Sequence, residues 1–133
     1  MEEAWQRWWQ MAQGSFVAAQ TLERTGEARS SASRAYYAAY QAATALLLYA
    51  KQSPPEGREA WSHEATPGLL GSMPRTLLTP TRQRDMGNRL SDLYDLRLIA
   101  DYRGEEDVET AALRAAIRSA AFILKTIGNV LPG

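Results

Sequence analysis

The chain has 133 residues, 45% hydrophobic and 23% charged, with fifteen basic side chains balancing fifteen acidic ones and no cysteine. That length makes one domain with a core of its own, and the composition excludes a disulfide scaffold, a thiolate metal site and any binding mode that rests on bulk positive charge. No apolar run approaches a membrane span and no charged-then-apolar leader opens the chain, so the expectation is a cytoplasmic protein with no membrane partner.

Four helical stretches follow one another, and nothing alternates with the period of two that a half-buried strand requires, so the fold is expected to be all-α. The first helix runs from about Glu2 to Arg24, with Trp5, Trp8, Trp9, Ala12, Phe16 and Ala19 on one side as core and Gly26 as its stop. The second starts near Ser30 or Ser31, either able to cap it, and continues to about Ala50. Its main stripe is Ala32, Ala35, Tyr36, Ala39, Ala43, Leu46 and Leu47, while Tyr37 and Leu48 lie on the back, so two faces want cover.

Between Lys51 and Pro80 the pattern breaks, because five of the six prolines fall there together with Gly57, Gly68 and Gly71. A structureless connection of that length is unusual, and a short helical piece around Glu59 to Leu70 is expected, carrying Trp61 and the only histidine, His63. The third helix runs from about Thr81 to Tyr102 and ends at Arg103 and Gly104. Glu105, Glu106 and Asp107 suit the positive start of a fourth, which continues to about Asn129. Val108, Ala111, Ala112, Ala115, Ser119, Phe122 and Ile123 share one of its faces, and Leu113, Ile117, Ala120 and Leu124 another. With the back of the second helix, that second strip exceeds what a lone bundle hides, which implies a homodimer.

One residue interrupts the apolar face of the third helix. Met86, Leu90, Leu93, Arg97 and Ala100 line up, with Asn88, Asp92 and Asp95 opposite, so the Arg97 guanidinium points inward. It stays charged at any physiological pH and therefore needs a partner, an opening or an anion such as phosphate. Asp101, four residues on, is the nearest partner, and Tyr102 adjoins it. The three can form an anion site in which Arg97 stabilises phosphorane charge, Asp101 orients it and Tyr102 supplies a hydrogen bond or proton. The same spacing equally describes an inward structural ion pair.

His63 is the side chain best suited to proton transfer near neutral pH, and it joins that site only if its loop folds back on the third helix. Tyr36, Tyr37 and Tyr40 can stack bases or fill the core and an interface. Thirteen of the fifteen basic residues are arginine, and Arg75, Arg82, Arg84 and Arg89 cluster just upstream of Arg97, as an RNA-facing patch or a solvated helix start. One histidine without cysteine matches no zinc spacing, and neither a phosphate-binding glycine loop nor a serine nucleophile motif occurs, so any enzyme here is expected to work without metal or cofactor.

The stretch Ser33-Arg34-Ala35-Tyr36-Tyr37-Ala38-Ala39-Tyr40-Gln41-Ala42-Ala43-Thr44-Ala45-Leu46-Leu47 is similar to the second-helix signature of small prokaryotic HEPN proteins. Ser62-His63 followed by Gly68-Leu69-Leu70 resembles the segment after that helix, and Arg97-Leu98-Ile99-Ala100-Asp101-Tyr102 resembles the Arg-x-x-Ala-Asp-Tyr version of the family's functional motif. The resemblance implies a dimeric up-and-down bundle of four or five helices with two copies of that motif facing a shared cleft. It also implies RNA or nucleotide as ligand, metal-independent ribonuclease activity in many members, and pairing with a minimal nucleotidyltransferase as toxin and antitoxin. The active branch carries Arg, a polar residue, several others and then His. Here Leu98 replaces the polar residue, Asp101 and Tyr102 stand where the histidine belongs, and His63 is the candidate substitute. Tyr102 is then also a candidate acceptor of nucleotidyl modification. The competing reading is a non-catalytic helical adaptor in which Arg97 and Asp101 are a structural pair.

Overall fold

The computed structural model describes the chain from Met1 to Gly133 as five helices: α1 Ala4–Arg24, α2 Ala28–Tyr49, α3 Thr66–Leu70, α4 Pro80–Tyr102 and α5 Thr110–Gly128. No strand occurs, and no helix is long and apolar enough to cross a membrane.

Helices α1 and α2 form an antiparallel hairpin across a three-residue turn, in which Gly26 takes the left-handed conformation (φ +81°) that glycine adopts without a Cβ penalty. The tightness of that turn starts α2 at Ala28, ahead of the serines expected to cap it. Ser31 is buried instead, donating its hydroxyl to the Ala19 carbonyl of α1 at 2.7 Å. Ser15 and Gln41 pair at 2.7 Å one stage along, and Trp5 meets Tyr49 edge-on at the far end.

Helix α2 is the axis of the molecule. From Ala38 to Leu47 every residue is buried, because α1 covers one side and α4 with α5 the other. The abundance of alanine lets those neighbours approach closely. Most of α2 therefore finds cover within one chain, while Tyr37 and Leu48, on its back, stay half-buried. The three tryptophans of α1 pack on the core as half-buried side chains at its edge.

The helical piece expected from Glu59 to Leu70 is confined to Thr66–Leu70, leaving Trp61 and His63 in the irregular segment before it. Pro67 explains this, since proline is tolerated in a first turn but not in the interior of a longer helix. Helix α3 rests on α4 where Gly87 has no side chain: a Cβ there would lie 3.0 Å from the Pro67 carbonyl oxygen. Gln83 straps the following connection down by donating to the Met73 and Leu78 carbonyls at 2.7 and 3.0 Å.

Helix α4 is capped by the Thr79 hydroxyl, which accepts from the Arg82 amide at 3.3 Å, with Pro80 in its first turn. Met86, Leu90, Leu93 and Ala100 are buried, as the inward face requires. Helix α5 opens at Thr110, three residues beyond the acidic run expected to start it. The carbonyls of Arg103, Gly104 and Glu106 accept hydrogen bonds from the Arg29 guanidinium instead, which holds the connection in a non-helical path. The buried face of α5 is Leu113, Ala116, Ala120, Ile123, Leu124 and Ile127, whereas Ala111, Ala112 and Ala115 are exposed. The strip expected to be surplus largely forms the core side, and much of the other looks outward.

Candidate functional site

Arg97 projects from the last turns of α4 against the side of α2, and its side chain is only 11% exposed. Its Nε donates to Asp101 Oδ2 at 2.9 Å, and Nη2 donates to the Tyr37 hydroxyl at 3.0 Å and the Tyr102 hydroxyl at 3.4 Å. The guanidinium also lies over the rings of Tyr37 and Tyr102, at 5.3 and 5.4 Å from their centroids. Burial opposes its charge, but Tyr37, Tyr102 and Asp101 together outweigh that and move its pKa up. Nη1 makes no hydrogen bond within the protein, and since no buried polar atom lacks a partner, those hydrogens reach an opening.

His63 joins this cluster from the far side. The packing of α3 against Gly87 brings the preceding segment over α4, and the imidazole stacks on Tyr94 with ring centroids 5.6 Å apart and planes 13° apart. Its Nδ1 lies 2.5 Å from the Tyr36 hydroxyl. Tyr36 in turn stacks on Tyr40, meets Tyr37 edge-on and lies beneath Arg97. Burial, reinforced by Tyr40, pushes the Tyr36 phenol well above its ordinary pKa, so it remains protonated. Burial first and the Arg97 charge second lower the His63 pKa, with Glu64 acting weakly the other way, so the ring is neutral at pH 7. A phenol both donates and accepts, so Tyr36 can support either imidazole tautomer. Nε2 is thereby left to hold or take a proton. His63 also lines a surface cavity of about 470 Å³ with Tyr40, Trp61 and Glu64.

All four residues singled out from the sequence thus fall in one neighbourhood: Arg97, Asp101 and Tyr102 in direct contact, and His63 across the shared tyrosines. Asp101 is 29% exposed at its side chain and accepts a second, longer bond from Ser33 Oγ at 3.4 Å. Tyr102 is 70% exposed at the rim.

The tyrosines of α2 do not form a base-stacking platform. Tyr36 and Tyr40 are buried, Tyr40 donates to the Trp61 carbonyl at 2.5 Å, and Tyr37 has the guanidinium groups of both Arg34 and Arg97 over its ring. The arginine patch upstream also divides. Arg75, Arg82 and Arg84 are exposed, but Arg89 is committed to Asp85 and to Ser119 of α5.

Two further residues contribute, Tyr94 and Arg29. Tyr94 lies three residues before Arg97 and hence on its face, a spacing that was legible. Arg29 left no such trace: from the first turn of α2 it donates to the Ile99 and Ala100 carbonyls, each at 2.9 Å, and onward to Arg103, Gly104 and Glu106. It satisfies the open carbonyls at the end of α4 and so fixes the turn that carries Asp101 and Tyr102.

Compared with known protein families, residues 5–130 match the model of the HEPN domain, nearly the whole chain. The chain belongs to the HEPN family. The family is nucleotide- and RNA-related, and the all-helical bundle agrees with membership in it. No curated protein matches this HEPN chain at a significant level. No three His, Cys, Asp or Glu side chains converge as metal ligands would. The acid–base groups of this HEPN site are an imidazole, phenols and a carboxylate.

Proposed function

We propose that this HEPN protein binds RNA or a nucleotide by a phosphate at Arg97, and that an RNA strand held there is cleaved without metal. The observation that carries the reading is the half-committed guanidinium. Asp101, Tyr37 and Tyr102 fix its orientation through Nε and Nη2, while Nη1 makes no hydrogen bond within the protein. A charged, aromatic-flanked donor held in this way suits a phosphate oxygen.

In the cleavage step the ribose 2′-oxygen attacks phosphorus, the bond from phosphorus to the 5′-oxygen breaks, and a cyclic phosphate and a free 5′-hydroxyl result. Arg97 offsets charge on the non-bridging oxygens, and the imidazole of His63, tuned neutral by burial and backed by Tyr36, moves the proton. Further parts of the same reading are a homodimer with two Arg97 sites at a shared cleft and a minimal nucleotidyltransferase as partner in a toxin and antitoxin pair. Tyr102, exposed at the rim, is the hydroxyl such an enzyme would modify.

The Arg97–Asp101 pair at 2.9 Å favours a second reading, a non-catalytic adaptor in which that pair is structural. Incubation of the protein with total tRNA in chelator separates the two. Under the first reading wild type cleaves, Arg97→Ala abolishes cleavage and His63→Ala lowers it by about a hundredfold or more. If wild type leaves the RNA intact but retains it in an Arg97-dependent way, the protein is a binding module. If neither binding nor cleavage depends on Arg97 and only the melting point falls, the adaptor reading stands.

A further inference from the structure

Four arginines are partly withdrawn from solvent: Arg29, Arg34, Arg89 and Arg97. Three have polar partners in the protein. Arg29 is spent on backbone carbonyls, Arg89 on Asp85 and Ser119, and Arg97 on Asp101 and two tyrosines. Arg34 alone has neither an ion pair nor a hydrogen bond. Its guanidinium lies instead over the Tyr37 ring, 5.0 Å from the guanidinium carbon to the centroid.

That ring also carries Arg97, at 5.3 Å, so the two cations stand around one aromatic side chain. Arg34 lines a cavity of about 530 Å³ between the start of α2 and the end of α4, together with Ser30, Ser33 and Asp101. The Asp101 charge is already matched by Arg97, and the Ser30 hydroxyl has no partner in the protein. Arg29, on the same wall, adds positive charge. The cavity therefore presents an uncommitted planar fork and the Ser30 hydroxyl, with a net positive lining, beside the Arg97 site, while the Ser33 hydroxyl is already turned to Asp101 at 3.4 Å. Unpaired cations drawn out of water are costly, and an anion with several acceptor oxygens relieves that cost.

We propose that Arg34, with Ser30, binds a second phosphate of the same RNA strand whose first phosphate lies at Arg97. This rests on the RNA reading of Arg97 and extends it: the ligand is a strand with consecutive phosphates rather than a mononucleotide. Arg34 is then a specificity-determining contact.

The test is fluorescence anisotropy of a labelled 2′-O-methyl oligouridylate, which lacks the attacking hydroxyl, across a salt series, with uridine 3′-monophosphate and ADP as competitors. Each phosphate contact to a single strand contributes roughly 0.7 to the slope of log affinity against log salt. Arg34→Ala is expected to weaken the oligonucleotide about tenfold and to reduce the slope by roughly 0.7, leaving competition by the monophosphate unchanged. Arg34→Lys is expected to keep the slope and recover part of the affinity, which guards against a folding defect in the alanine variant. Arg7→Ala, at the opposite end of the α1–α2 hairpin, serves as a control for loss of charge alone. An unchanged slope in Arg34→Ala while Arg97→Ala abolishes binding overturns the second phosphate site and leaves the first intact. Indifference of the oligonucleotide to Arg97→Ala overturns the reading beneath it. Arg34-dependent capture of ADP as tight as that of the strand would make the ligand a diphosphate and overturn the strand proposal.

Discussion

Two arginines on α4, Arg89 and Arg97, have nearly the same local chemistry and different surroundings. Each donates Nε to an aspartate four residues away, Asp85 at 3.0 Å and Asp101 at 2.9 Å, and each lies over an aromatic ring, Phe122 at 4.3 Å and Tyr37 at 5.3 Å. Arg89 is 35% exposed at its side chain and braces α4 to α5 through Ser119. Arg97 is 11% exposed and meets two tyrosine hydroxyls, with His63 one ring further on. The helix dipole sharpens the contrast. Asp85, near the start of α4, is placed with the dipole, whereas Asp101 sits against it at the C-terminal end and depends on Arg97 and tertiary contacts. A pair four residues apart is therefore common helix chemistry, and what makes one of them a candidate site is convergence of groups from other elements.

The largest contrast should be in ligand binding. Arg97→Ala should weaken RNA or nucleotide binding by tenfold or more, the loss of a charge-assisted hydrogen bond, while Arg89→Ala should stay within about twofold. Anisotropy titrations of both variants check this, and equal losses would reduce the two arginines to a general basic surface. Next is the support beneath Arg97. Arg29→Ala should cost about 2 kcal/mol, since it strips the donor from several carbonyls, and should speed amide exchange across residues 99–106 while leaving 85–93 protected. Uniform loss of protection along α4 would break the distinction between its ends.

Stability should separate the pairs less strongly. Arg89→Ala should cost about 0.5–1 kcal/mol, as half-exposed ion pairs do, and Arg97→Ala about 2 kcal/mol, because it leaves Asp101 and the tyrosines without their cation. Urea midpoints decide between these values. The smallest effect is pH-dependent and confined to the Arg97 side. The folded-state pKa of His63 is lowered, by burial first and Arg97 second, so its contribution to stability is complete above the unfolded value near ~6.5 and is lost as pH falls below it. Wild type should thus lose stability more steeply than His63→Gln between about pH 7 and pH 5. Parallel curves would mean that the ring is not held neutral by its surroundings.

Much of this was legible in the residues. The 3.6-residue period located the helices and the face on which Arg97 interrupts leucine and methionine, and four-residue spacing named Asp101. The resemblance in the Ser33–Leu47, Ser62–Leu70 and Arg97–Tyr102 stretches pointed to the HEPN family. Where the structure departs from local pattern, the causes are physical. Helix α2 starts ahead of its serines, and Ser31 bonds to α1 rather than capping its own helix. Helix α5 starts beyond the acidic run because carbonyls near that run go to Arg29, more than seventy residues earlier. Which strip of α5 is buried depends on which neighbour it meets, and amphipathic spacing alone ranks two such strips equally.

Local spacing thus sufficed for everything within one helix: its extent, its inward cation and the carboxylate one turn away, since i to i+4 geometry is set by the backbone. The approach of His63 to Tyr36 and Tyr94, the clamp of Arg29 and the sharing of Tyr37 by Arg34 and Arg97 came only with tertiary packing. Apart from Arg34 and Tyr37, one turn apart on α2, those contacts join residues 27 to 77 positions apart, and each depends on a close approach, such as α3 against Gly87, that no periodicity encodes.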